Sequence, residues 1–384
     1  MATQFTLYGW ELSYFTGKTR SYLRYKGIPF VEQPVDAVTL TLRIRRRTGA
    51  VVMPVVVTPE GEWLQDTSVI IDRLEERFPA PPVLPATPVQ RFISYVLECW
   101  GDEFWIPFAM HTRWSHAENL ALFEQDAGRG MLPGAPAFVQ RAAAQWAVRE
   151  MRNHLPGLGV VPAQAAVLDA WLKTTLDALD AHFREHDFLL GGRPTLGDFS
   201  LIGPLYAHLG RDPWSKRELI APRRHLAAWI ERMQRMEPPP AGELLAEDAL
   251  PATLLPLLQA LFREFTPQLE ATLAAVQAAL PSLKPGAMLP RGMGQASWPL
   301  GESTFTGARL PYMLWMVQRA QDAYRRMSAA EQQAVRAQLR LLGGERWLDM
   351  DIPRLRRHGL RVGPEVGPAQ GTRWRRDGHA ADPV

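Results

Sequence analysis

Apolar positions in the first 80 residues change period several times, and each change predicts a new element. Phe5–Tyr8 is a short apolar run of strand character. Tyr22, Leu23 and Lys26 share a helical spacing within Gly17–Lys26, which stops at Gly27. Ile28–Val35 reads as a second strand and Val38–Arg47 as a helix ending near Gly49. The β-branched run Val51–Thr58, interrupted by Pro54, turns through Pro59-Glu60-Gly61 into Trp63-Leu64, which predicts a hairpin. Asp66 or Thr67 then caps an amphipathic helix over Ser68–Phe78 that stops at Pro79. Strands and helices in this order predict an α/β domain with a mixed sheet over 1–80.

Prolines 79, 81, 82, 85 and 88 form a stiff linker and a domain boundary. Beyond it the spacing is helical through about 88–116, 135–152, 162–187, 198–210 and 223–236, which predicts an all-helical domain over 88–240. Pro238-Pro239-Pro240 marks a second boundary. The block 241–364 predicts helices near 251–263, 266–280, 311–327 and 329–342, the last opened by the capping box Ser328 to Glu331. Pro281–Arg309, rich in Gly and Pro, exceeds an ordinary connection and predicts either a lid over a cleft or a disordered stretch. The tail 365–384 has no periodicity and predicts disorder.

Composition narrows the class. The 384 residues are 46% hydrophobic and 22% charged, enough apolar material for more than one core. No apolar run reaches the roughly 18 residues of a membrane-spanning helix, and MATQFTLYGW lacks the pattern of a signal peptide. The single cysteine, Cys99, rules out an internal disulfide framework, a CxxC pair and a Cys-rich zinc site, so the expected location is the cytoplasm. From Arg354 onward seven arginines face three acids. The remaining 36 bases and 37 acids nearly cancel, so the body has no charge footprint for nucleic acid.

Four local motifs occur in register. They are Ser13-Tyr14-Phe15-Thr16-Gly17-Lys18 leading to Lys26-Gly27-Ile28-Pro29-Phe30; Val52-Met53-Pro54-Val55; Asp66-Thr67 ahead of Val69-Ile70-Ile71; and Leu190-Gly191-Gly192 with Thr195-Leu196-Gly197-Asp198. Together they resemble the soluble glutathione transferases over about residues 4–237, with a tau- or zeta-like serine motif. The resemblance implies a thioredoxin-like N-terminal domain, a helical C-terminal domain and, beyond the usual pattern, an extra helical block. It implies glutathione as substrate, no metal, an apolar electrophile as co-substrate, a detoxifying transferase activity and a homodimer.

The implied roles have physical reasons. Pro54 falls where the family has a cis-proline, which turns the backbone of Met53 toward the cysteinyl part of glutathione. Asp66 and Thr67 stand at a predicted helix N-terminus, where free N–H groups and the dipole suit the γ-glutamyl carboxylate. The family norm there is Glu/Gln-Ser, so Asp-Thr has a shorter reach. Ser13, where strand gives way to helix, is the candidate hydroxyl for the glutathione thiolate. A thiol of pKa near 8.5 needs roughly 2.7 kcal/mol of preferential stabilisation to fall two units. Tau- and omega-like proteins usually have proline after this position; this chain has Tyr14, which is a second candidate donor, and Tyr8 is a third. No cysteine occupies the position, which argues against disulfide exchange. The aromatic helix after the linker supplies Phe104, Phe108, His111 and Arg113 as candidate co-substrate contacts.

Two further patterns suit structural roles. His182 and His186 match an HxxEH spacing but lack a third ligand, and Arg43-Ile44-Arg45-Arg46-Arg47 suits a solvated helix face. Fold does not fix function. A non-catalytic binding or scaffolding module therefore stands as the alternative to the enzyme.

Overall fold

In the computed structural model, which describes residues 4–236, 240 and 242–365, the N-terminal segment has its strands and helices in the expected order. They are β1 (Phe5–Gly9), α1 (Tyr14–Tyr25), β2 (Phe30–Pro34), a π-helical turn (Thr39–Ile44) running into α2 (Arg45–Thr48), β3 (Val55–Val57), β4 (Trp63–Gln65) and α3 (Thr67–Arg77). The sheet order is β2-β1-β3-β4, with β1 parallel to β2 and antiparallel to β3. Alternation along β1 places Phe5 and Leu7 in the main core with Tyr22, Ile70 and Leu74, and Tyr8 on the other face with Val35, Ile44 and Val55. This is the thioredoxin-like arrangement.

A helical unit follows: α4 (Pro88–Cys99), a π-helical turn (Trp100–Phe104), α5 (Ile106–Ser115), α6 (Ala117–Met131), α7 (Ala137–His154), α8 (Ala165–Glu185), α9 (Leu196–Pro204), the short α10 (Pro213–Ser215) and α11 (Arg224–Arg235). The single helix expected over 88–116 breaks at Trp105, because Pro107 has no N–H to continue the ladder. Helix α6 is unexpected from the pattern. Its buried positions Asn119, Phe123, Ala127 and Gly128 are mostly small or polar and dilute the apolar signal. Asp198 caps α9, accepting from Thr195 N at 2.9 Å and from Leu189 N at 2.9 Å. No single helix among the described residues is long and apolar enough to cross a membrane.

The extra block holds α12 (Leu255–Ala279), β5 (Gln295–Leu300), β6 (Ser303–Ala308), α13 (Pro311–Arg325), α14 (Ala329–Leu342), α15 (Arg346–Asp349), β7 (Leu355–His358) and β8 (Arg361–Pro364). It is therefore not purely helical. The two helices expected near 251–263 and 266–280 are one, since burial of Phe262, Phe265 and Leu269 outweighs Pro267 inside it. The Gly/Pro-rich segment expected as a lid or disorder contains a packed hairpin. Trp298 sits directly opposite Phe305, both are buried, and their rings meet edge to face at 5.5 Å. The expected disorder of the tail lies outside the described residues, apart from Glu365.

Charges bind the three parts. Lys18 of α1 lies 2.8 Å from Glu98 and 2.6 Å from Asp102 on the α4 side, with all three buried. Arg319 of α13 pairs with Glu98 and, at 2.8 Å, with Asp72 of α3. Asp248 reaches the start of α4, where its carboxylate accepts from Val89 N at 2.8 Å and Gln90 N at 2.9 Å. Those are two of the donors that a helix N-terminus leaves without partners. Removing one member of a buried pair strands the other charge, at a cost of about 3–5 kcal/mol. Arg319→Met is expected to destabilise the chain by that amount, read as a lowered urea midpoint; an unchanged midpoint would show that Glu98 does not depend on Arg319.

Candidate functional site

Strand register builds the site. Tyr8 is opposite Val55, and Val55 is opposite Gln65. Gly9, Pro54 and Asp66 are the next residues beyond these pairs, at one end of the sheet. Ser13 N donates to Trp10 O at 3.0 Å, folding the β1–α1 turn back over that end. A Cβ at Gly9 would collide with the Thr16 side chain, so glycine lets α1 start close against β1. The structure thus brings Ser13, Met53, Pro54, Asp66 and Thr67 to one edge. Ser13, Met53 and Asp66 are partly exposed, Thr67 is buried, and the Met53–Pro54 peptide is cis.

Asp66 is the cap of α3. One carboxylate oxygen accepts from Ser68 N at 3.1 Å and Val69 N at 3.2 Å, and the residue adopts φ 83° to do so. The other oxygen accepts a hydrogen bond from the Tyr312 hydroxyl of α13. Burial, then the Asp66 charge, keep that phenol protonated well above its ordinary range. Arg357 of β7 donates to Gln65 Oε1 at 2.7 Å and to Gln65 O at 3.2 Å. The extra block therefore reaches the rim of the site. Sequence reasoning missed both residues, which lie outside the segment that carries the resemblance.

The candidate hydroxyls separate clearly. Ser13 caps α1, its Oγ accepting from Thr16 N at 3.3 Å, and remains partly exposed. Tyr14 turns inward and donates to Gly101 O, and burial raises its pKa well above the ordinary value. Tyr8 is buried and stacks on Trp63 with ring centroids 5.7 Å apart. Of the three, Ser13 has the open position.

The co-substrate residues expected on the aromatic helix are packed elsewhere. Phe108 stacks on Trp171 at 3.7 Å, and Phe104 meets Phe265 of α12 at 5.0 Å. His111 Nε2 lies 2.8 Å from Asp169. Arg113 is buried against Asp212 at 2.8 Å, and its Nη1 donates to Leu12 O at 2.9 Å. Phe104, Phe108, His111 and Arg113 therefore belong to the core, because α8 and α12 cover faces that the sequence left open. Arg113 still bears on the site by anchoring the residue before Ser13. The HxxEH pattern is likewise structural: His182 engages Thr253 and Phe188 through its two ring nitrogens, and burial lowers its pKa to about 4.

Glu103 is a titrating group that the aromatic pattern concealed. It is buried where the π-helical turn meets α5, and no donor among the described residues hydrogen-bonds its carboxyl. Burial first, then the charges of Asp102 and Asp66, raise its pKa to about 8. At neutral pH it is largely protonated.

Two family models match the N-terminal and helical units. Residues 7–82 match the family "Glutathione S-transferase, N-terminal domain", and residues 162–232 match "Glutathione S-transferase, C-terminal domain". A stringent starvation protein A homolog of Histophilus somni is 24% identical over 135 residues, which are 35% of this chain and 63% of the relative. The chain thus aligns with less than two thirds of that relative's length. Among solved structures, a glutathione S-transferase from Rhodospirillum rubrum F11 is 18% identical and covers 65% of this chain and 96% of its own, with a TM-score of 0.39. FzlA from C. crescentus is 19% identical over 65% and 97%, with a TM-score of 0.39. Beta-etherase LigF from Sphingobium sp. strain SYK-6 is 18% identical over 60% and 95%, with a TM-score of 0.40.

The Glu103 shift has a measurable sign. Its pKa rises from 4.5 to about 8 on folding, so across that window the folded state holds the proton more tightly than the unfolded chain. Stability from this group is present at acid pH and is lost as pH rises, on the order of a few kcal/mol. Glu103→Gln removes the titration. The melting temperature of the variant relative to wild type is expected to climb steadily from about pH 5 to about pH 9; a pH-independent difference would contradict the assignment.

Proposed function

This chain belongs, through residues 7–82 and 162–232, to the glutathione S-transferase family, and on that premise we propose that its first module binds glutathione and ionises its thiol. The observation that carries the reading is the shared edge formed by Ser13, Met53, Asp66 and Thr67, set by strand register. In this reading the γ-glutamyl carboxylate sits at the N-terminus of α3 beside Thr67. Its ammonium faces Asp66, and the cysteinyl backbone pairs with Met53. Ser13 Oγ then donates to the sulfur, where a charge-assisted hydrogen bond and the α1 dipole favour the thiolate.

The partly buried Trp10, Met110 and Leu155, packed beside Leu12, offer the apolar surface for an electrophile. The reaction is attack of the thiolate on an electrophilic carbon, forming a C–S bond as the bond to a leaving group such as chloride breaks, assisted by positioning. The tau- or zeta-like serine class belongs to this reading. So do a detoxifying role and a homodimer. A cytoplasmic location suits a chain whose one thiol, Cys99, is buried and free.

One contact favours the alternative of a non-catalytic binding module. Tyr312 already occupies an oxygen of Asp66, so the ammonium has to share or displace that bond.

The two readings part experimentally. Retention on immobilised glutathione with turnover of an activated chloronitrobenzene supports the enzyme. Retention without turnover supports the module, and no retention rejects the site. For the enzyme, Ser13→Ala is expected to raise the kinetic pKa by about two units and to lower kcat at neutral pH by up to about 100-fold, with KM for glutathione nearly unchanged. Asp66→Asn is expected to act mainly on KM.

A further inference from the structure

A second group of side chains with catalytic geometry lies where α5 ends. His111 and Ser115 stand four residues apart on α5 and so share a face of the helix. Ser115 Oγ is 3.1 Å from His111 Nδ1, and His111 Nε2 is 2.8 Å from Asp169 Oδ1 of α8. With the ring proton on Nε2, Asp169 accepts it and Nδ1 accepts from the Ser115 hydroxyl. A hydroxyl, an imidazole and a carboxylate in this order are the nucleophile, general base and orienting acid of acyl transfer.

Burial separates the roles. The His111 side chain is 4% exposed, so packing holds the imidazole in place, while Ser115 is exposed and open to a carbonyl arriving from solvent. Donors for an oxyanion follow directly in the chain. Helix α6 begins at Ala117, two residues beyond Ser115, and no side chain caps it. The N–H groups of Ala117, Glu118 and Asn119 are those that a helix start leaves without intrahelical partners. The positive end of the helix dipole suits a developing negative charge there. The one acid of that first turn, Glu118, is paired with Arg217 at 2.8 Å. His116, between the two helices, stacks on the half-buried Trp214 at 3.3 Å, and its Nε2 is buried without a partner. Trp214 supplies apolar surface for the body of a substrate.

We propose that Ser115, His111 and Asp169 form an acyl-transfer site that hydrolyses small carboxylic esters, independently of glutathione and of the reading above. Ser115 Oγ attacks the ester carbonyl carbon, and a C–O bond forms as the hydroxyl proton passes to His111 Nδ1. The oxyanion is received by the N–H groups of α6. The bond from that carbon to the alcohol oxygen then breaks, and the alcohol leaves with the proton from His111. Water, deprotonated by His111 in the same way, attacks the acyl group, releases the carboxylic acid and restores Ser115. Asp169 is the positioning residue, which fixes the ring and faces the imidazolium formed in each step.

The test uses the full chain without glutathione, with p-nitrophenyl acetate as substrate and a fluorophosphonate as covalent probe. Saturable release of p-nitrophenol is expected, together with a single labelled residue, Ser115, in peptide mass spectrometry. Ser115→Ala, at an exposed position, is expected to lose the label and to lower kcat by about 100-fold or more at an unchanged melting temperature. Asp169→Asn, also at an exposed position, is expected to lower kcat by about tenfold or more with KM nearly unchanged, because the wrong tautomer then faces the serine. Hydrolysis by Ser115→Ala at the wild-type rate, a label on another residue or on none, or an unchanged kcat for Asp169→Asn would each overturn the proposal.

Discussion

Two cations, Lys18 and Arg319, and two carboxylates, Glu98 and Asp102, shut between α1, α4 and α13, with the half-exposed Asp72 of α3 at their margin, are the constraint on which the rest depends. Each ion gives up several kcal/mol of hydration, so the cluster holds only while its members hold one another. Burial pushes Glu98 upward, yet Arg319 and Lys18 outweigh it and bring the carboxyl down to about 2. Asp102 has Lys18 but also faces Glu98, and burial leaves it at about 6. Lys18 is fixed from both sides, and α1 with it. The position of Ser13 relative to the helical unit therefore depends also on charges paired rather more than one turn further along α1, beside the contacts of the β1–α1 turn.

Much of this was legible because the signals were local. Gly27 and Pro79 ended helices where they stood, Asp66 capped α3 within three residues, and Thr195 with Asp198 formed a self-contained box. The apolar run Phe5–Tyr8 marked β1 as a strand. The aromatic helix defeated the same reasoning. Spacing tells how many faces of a helix are apolar but not which neighbour covers each one, and here Trp171 and Phe265 cover those that were read as a pocket. Tyr312 and Arg357 touch residues 246 and 292 positions away, a separation that no periodicity encodes. Tyr14 looked like an alternative donor because it adjoins Ser13 in sequence. On a helix, adjacent residues point about 100° apart, and its hydroxyl goes to Gly101 instead.

The extra block is more than an appendage. It supplies the cap of α4, the counter-charge of Glu98, the phenol on Asp66 and the guanidinium on Gln65. The first two hold the scaffold and the last two reach the rim of the candidate site. Whatever occupies that rim meets a surface built from both ends of the chain, and a reading confined to the first 237 residues misses half of it.

Asp248 at the head of α4 carries a consequence for biosynthesis. On the ribosome, Val89 and Gln90 emerge some 158 or more residues before the carboxylate that satisfies them, and Glu98 emerges 221 residues before Arg319. Until then the nascent polypeptide carries an unfinished helix end and a Glu98 that has Lys18 as its one counter-charge among the two it finally holds. The front half thus gains its last helix cap and its second buried cation from residues made after it.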